Sequence, residues 1–140
     1  MPFELTMPGG VLFARLRGVF TARELNRLAT EAEIAEATHY VSLNRITDLT
    51  AVECFEVGFR EIFLFALRRG AQRFSKVVKS AIIVHDPAQI EIARLYDSLN
   101  QNPQIRLRIL KSVAEANEWF AVNDALDYAE IPPGASVSPS

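Results

Sequence analysis

The chain reads as an α/β domain with a mainly parallel five-stranded sheet and four helices, in the order β-β-α-β-α-β-α-β-α. Three observations predict this. A helix-opening pattern recurs four times along the chain, each time after a short apolar run. Pro8-Gly9-Gly10 is a turn signal between the first two apolar runs, so those two form a hairpin. Ala81-Ile82-Ile83-Val84 has the composition of a strand covered on both faces. Strands that alternate with helices build a parallel sheet with the helices packed on it.

The elements follow in order. Phe3–Met7 and Val11–Arg17 are the hairpin strands. Thr21 and Glu24 then form a capping box, in which each side chain satisfies an orphan backbone N–H of the first helical turn. The helix they open repeats Leu25, Leu28, Ala32 and Ala35 at helical spacing. Tyr40–Asn44 is the third strand. Thr50 with Glu53 predicts a second helix, roughly Ala51 to Arg69, with Phe55, Phe59 and Phe63 along one side and Gly70 as terminator. Its stretch Ile62–Leu67 is apolar in every direction, more than one sheet face covers. Ser80–His85 is the fourth strand. Asp86 and Gln89, with Pro87 between them, open a third helix with Ile92, Leu95, Tyr96 and Leu99 on its apolar side. Ile105–Leu110 alternates apolar residues with Arg106 and Arg108, as a strand with one wet face does. Ser112 and Glu115 open the fourth helix, with Val113, Ala116 and Phe120 facing the core.

Composition narrows the function classes. Fifteen Lys and Arg against 17 Asp and Glu give a net charge of −2, so no whole-molecule attraction to nucleic acid or anionic membrane is expected. The six-residue apolar run Ile62–Leu67 is far short of the ~20 residues that span a bilayer, so stable membrane insertion is not expected either. A single cysteine, Cys54, allows no internal disulfide and fits a reducing compartment. With no basic start and apolar run at the N-terminus, a cytoplasmic location is expected. The Pro- and Ser-rich end, IPPGASVSPS, predicts a disordered close to a tail over residues 123–140, after a domain over 1–122.

Several stretches resemble one known fold. They are Leu16-Arg17-Gly18-Val19-Phe20-Thr21, Ser80-Ala81-Ile82-Ile83-Val84, Ile92-Ala93-Arg94-Leu95-Tyr96 and Glu115-Ala116-Asn117-Glu118-Trp119-Phe120. Together with the element order they resemble the STAS superfamily, the fold of anti-anti-sigma factors, and more closely its SpoIIAA-like branch, over about residues 3–121. The resemblance implies a regulatory, protein-binding role, and also allows a lipophilic ligand. In phosphorylatable members an Asp-Ser-Ser-Gly-like element opens the second helix. The matching place here, Asp48-Leu49-Thr50, keeps a hydroxyl but lacks the serine pair and the glycine.

The candidate site residues have competing readings. Thr50 is a helix N-cap, or a hydroxyl placed where a helix N-terminus favours phosphate, with Asp48 beside it. Phe59, Phe63, Leu64, Phe65 and Leu67 are core, a dimer or partner contact, or the wall of a ligand pocket. Arg68, Arg69 and Arg73 complement a helix C-terminus or form an anion patch. Cys54 in a helical first turn is a buried small hydrophobe or a thiol with a lowered pKa. His85 and Asp86 lie at the carboxyl end of a strand, where α/β folds tend to place ligands. His39 and His85 lack metal-ligand spacing, and no phosphate-loop, dinucleotide or nucleophile-elbow motif is present. The expectation is a non-enzymatic module without cofactor or metal, recognising a protein partner or its own copy through the second helix. The alternative is a small lipophilic molecule held between that helix and the sheet.

Overall fold

A computed structural model of the chain describes residues 2–39 and 42–122. Its strands are β1 (Phe3–Thr6), β2 (Leu12–Thr21), β3 (Arg45–Glu56), β4 (Val78–Ile83) and β5 (Ile105–Leu110). Its helices are α1 (Ala22–Ala37), α2 (Phe59–Gly70), α3 (Pro87–Leu99) and α4 (Val113–Phe120), with a 3-10 turn at Pro8–Gly10. The five strands lie in one sheet in chain order, antiparallel between β1 and β2 and parallel elsewhere. The expected fold class and element order are therefore both present. The expected tail, 123–140, lies outside the described residues.

Chain order decides the layers. Each crossover, through α1, α2 or α3, advances the same way across the sheet, and right-handed crossovers then put all three helices on one face. Leu25 and Leu28 of α1, Ile62 of α2 and Ala93 of α3 accordingly share a core with Ala14, Leu16, Leu49 and Ile82. On the opposite face α4 sets Ala116 and Trp119 against Ile46, Ala81 and Ile83. All six residues of β4 are buried between the two layers, Lys79 and Ser80 included, and the Ala81–Ile83 part is covered on both faces as its apolar run predicts.

Three helices open at the expected N-caps, though only Asp86–Gln89 closes as a full box; at Thr21 and Ser112 the N-cap half alone forms, and Glu115 accepts from Lys111 N instead. Thr21 Oγ1 accepts from Glu24 N at 3.4 Å, Asp86 Oδ1 from Gln89 N at 2.9 Å, and Ser112 Oγ from Glu115 N at 3.1 Å. The fourth needs correcting. Thr50 lies inside β3, a 12-residue strand, and caps no helix. The expected strand at 40–44 and helix from Ala51 give way to a strand from Arg45 and a helix from Phe59. Two forces outweigh the capping pattern. β3 carries β-branched Ile46, Thr47, Thr50 and Val52, and its ladder with β2 continues from Leu12↔Arg45 to Thr21↔Glu56. Thr50 also has a closer acceptor: its N–H and hydroxyl both donate to Asp48 Oδ1, at 2.9 and 2.7 Å. That local loop absorbs a bulge, since two β3 residues stand between Asp48 and Ala51 where β2 has only Leu16. A second irregularity follows at Gly18, whose φ of 66° suits glycine. α2 opens instead at Gly58, whose N–H donates to Glu61 Oε1 at 2.7 Å.

β3 outruns its neighbour β4, pairing with it only from Arg45 to Asp48. Gln89, 2 % exposed, serves the carbonyls left over. Its amide donates to Val52 O at 3.1 Å and Thr50 O at 3.4 Å, while its oxygen accepts from His85 N at 2.7 Å and Asp86 N at 3.2 Å.

Candidate functional site

α2 has two different faces. Ile62, Ala66 and Arg69 are buried, at the i, i+4 and i+7 spacing of one helical side. Phe59, Phe63 and Leu67 fall on another side at i, i+4 and i+8, with Leu64 beside them; these four are 62, 40, 54 and 49 % exposed. The Phe59 and Phe63 rings stack 6.2 Å apart. Phe65 points the other way, into the helical layer, where its ring meets Tyr96 of α3 at 5.6 Å. Phe55 belongs to β3 and not to this helix. The apolar stretch thus faces both inward and outward, as six apolar residues in a row on a helix must.

Behind the inner face, between α1, α2, α3 and the sheet, lies a cavity of about 100 Å³. Its walls are mainly apolar, with Leu16, Phe20, Leu28, Ile62, Phe65 and Ile82 among them. One end is polar. Arg45, Thr47 and Ser80 reach it from the first rungs of β3 and β4, Arg69 from the last turn of α2, and Tyr96 from α3.

The polar end is organised around Glu36 of α1. Its carboxylate accepts from Arg45 Nε at 3.0 Å, from both terminal nitrogens of Arg69 at 3.1 Å, and from Gln72 Nε2 at 3.2 Å. Arg45 also donates to Gln72 Oε1 at 2.9 Å and lies over the Phe74 ring. Arg45 and Arg69 are 5 and 4 % exposed. Burial alone would raise the Glu36 carboxyl. Arg45 and Arg69, with the hydrogen bonds from Arg69 and Gln72, hold it below the usual carboxylate value instead. Burial and the nearby Arg69 lower the Arg45 pKa, and Glu36 opposes them. Burial raises the Tyr96 phenol, against the pull of Arg45 and Arg69.

The remaining candidates are scattered. Arg68 is bound by both carboxylate oxygens of Glu33, at 2.8 Å each, and donates to Thr30 Oγ1 at 3.1 Å. Arg69 is turned inside, and Arg73 is exposed in the loop after α2. The expected surface anion patch of Arg68, Arg69 and Arg73 therefore does not assemble, because α1 supplies a carboxylate to each of the first two. Asp48 and Thr50 lie on the α4 side of the sheet, away from the inner face of α2. Asp48 is buried there and takes Arg15 Nε at 3.4 Å. Without a helix N-terminus at Thr50, the phosphate-favouring reading of that residue loses its geometry. Cys54 sits on β3 and is exposed, neither in a helical turn nor buried. His85 is exposed, and its Nε2 lies 3.2 Å from Lys111 O. Among the described residues no group of three or more His, Cys, Asp or Glu is placed to hold a metal ion.

Sequence reasoning missed Glu36, Arg45 and Ser80 and placed Tyr96 only on an apolar helix face. Arg45 stood in plain view before the apolar Ile46. A strand ending at Asn44 left it in a loop, which hid an arginine whose position called for burial.

No family model and no curated protein matches the sequence. Among solved structures, the chain is similar to an uncharacterised protein of the DUF3478 family with a SpoIIAA-like fold from Shewanella loihica PV-4. The identity is 15 %, the alignment covers 84 % of this chain and 90 % of the other, and the TM-score is 0.58. The chain has a SpoIIAA-like fold, as the sequence resemblance implied. Among the described residues, no helix is long and apolar enough to cross a membrane.

Proposed function

We propose that this chain of SpoIIAA-like fold is a non-enzymatic module that binds a small lipophilic molecule between α2 and the sheet. One observation carries the reading: the apolar cavity of about 100 Å³ behind Ile62 and Phe65. On the same measure a single water takes ~10–15 Å³, and well-packed interiors leave few voids larger than that. The exposed single cysteine, Cys54, fits a reducing, cytoplasmic setting for such a module. The test is a titration with 1-octanol followed by methyl NMR, beside native mass spectrometry of the purified protein. Leucine and isoleucine methyls that line the cavity are expected to shift. Ala14→Leu, which extends a side chain into the cavity from β2, is expected to abolish the shifts while the fold is retained. Wild-type spectra unmoved by octanol, with no retained small molecule, would remove the reading.

A second reading rests on a separate observation, the outer face of α2. Phe59, Phe63, Leu64 and Leu67 form an apolar stripe of the kind that marks protein contacts, and a second copy of this chain is the partner that requires nothing further. A regulatory role would then act through that face. Sedimentation velocity checks it: a dimer that Leu64→Asp converts to monomer supports the reading, and a wild-type monomer at high concentration ends it.

A further inference from the structure

Charge and hydrogen bonding at the polar end of the cavity say more about the occupant than its apolar walls do. Two guanidinium groups, Arg45 and Arg69, share one carboxylate, Glu36, so this buried cluster holds one positive charge in excess. A buried charge without a counter-charge is costly, and neutralisation is the usual remedy. The donors are also in surplus. A guanidinium carries five N–H donors, and among the described residues Arg45 and Arg69 each have two hydrogen bonds from them. Ser80 is 5 % exposed and lines the cavity, and its hydroxyl has no partner among the described residues. Tyr96 is half-buried and also lines the cavity, and its hydroxyl likewise has no partner among the described residues; a buried hydroxyl such as that of Ser80 normally finds one. Sheet register brings these groups together: Leu12, Arg45 and Ser80 form one rung across β2, β3 and β4, and Ala14, Thr47 and Ile82, two residues on, form the next rung that faces the same side. The charged and hydroxyl groups of β3 and β4 thus give way to Ile82 within two residues along the strands.

Resting on the ligand reading above, we propose that the cavity receives a small amphiphilic acid, a monocarboxylate on a compact apolar tail. The carboxylate lies among Arg45, Arg69, Ser80 and Tyr96, and the tail runs along Leu28, Ile62 and Ile82. One negative charge cancels the excess, and a carboxylate accepts from guanidinium and hydroxyl donors together. The volume limits the acid to about ten non-hydrogen atoms, taking ~10 Å³ for each.

Octanoate and 1-octanol have nearly the same tail and differ in charge, so they separate this inference from the reading beneath it. Isothermal titration of the full chain at pH 7 is expected to show octanoate binding at least ten-fold tighter than octanol. Arg69→Met leaves Glu36 and Arg45 as a matched pair. It is expected to bring octanoate within about three-fold of octanol while octanol affinity holds. Should that variant fail to fold by circular dichroism, the Ser80→Ala, Tyr96→Phe double variant takes its place, with an expected loss of at least five-fold for octanoate alone. Equal affinity of the wild type for both compounds overturns the acid head group but leaves the lipophilic reading standing. Binding of neither overturns both. A preference for octanoate that survives the substitutions places the carboxylate elsewhere and overturns the assignment.

Discussion

The inner and outer faces of α2 carry similar apolar residues in different company. Inward, Ile62, Phe65 and Ala66 meet the sheet, α3 and the cavity, and Arg69 closes the row on Glu36. Outward, Phe59, Phe63, Leu64 and Leu67 meet no comparable layer among the described residues, and Arg68 beside them binds Glu33 near the surface. Two adjacent arginines thus make the same kind of bond to acids of the same helix, one at 4 % exposure and the other exposed. The difference teaches that burial, more than residue type, sets what an ion pair is worth.

The sharpest way to break the comparison is to remove the shared acid. Glu36→Ala leaves two buried guanidiniums without their carboxylate and is expected to cost about 3–5 kcal/mol in urea unfolding. Next comes pH. The folded pKa of Glu36 is depressed, so the stability it contributes is complete above the ordinary carboxylate value of about 4.3 and is lost as pH falls through the lower folded value. Glu36→Gln is expected to flatten that acid limb of a stability-against-pH curve. The Glu33 carboxyl is depressed too, chiefly by its hydrogen bonds from Arg68, but water screens the pair. Arg68→Ala is accordingly expected to cost only about 0–1 kcal/mol. Smallest is Leu64→Asp on the outer face, within about ±0.5 kcal/mol by the same unfolding assay. An effect of Arg68→Ala as large as that of Glu36→Ala would abolish the contrast between the faces.

Much of the fold was legible because its signals are local. Pro8-Gly9-Gly10, the Asp86–Gln89 box with Pro87, and the Ile105–Leu110 alternation each carry their structure in a few residues. Thr50–Glu53 shows where such signals fail. The same hydroxyl and acid occur in a strand, and what decided the outcome was a ladder with β2, some 30 residues earlier in the chain. The outward apolar stripe of α2 was legible from its unbroken run. The buried cluster was not, because Glu36, Arg45, Arg69, Gln72 and Tyr96 come from four elements and a loop that only the finished fold brings together.

Gln89 also ties events together in time. One amide group holds the Thr50 and Val52 carbonyls of β3, past the rungs that pair with β4, and its oxygen holds the backbone N–H groups by which the chain leaves β4 for α3. If the first turn of α3 loosens, the amides of His85 and Asp86 lose their acceptor at the same moment that Thr50 and Val52 lose their donor. Native-state hydrogen exchange is expected to report His85 and Asp86 opening with a single free energy, and Gln89→Leu to speed both by a common factor. A side chain that faces no solvent thereby sets the rate at which two distant stretches of backbone open, and makes that rate one number.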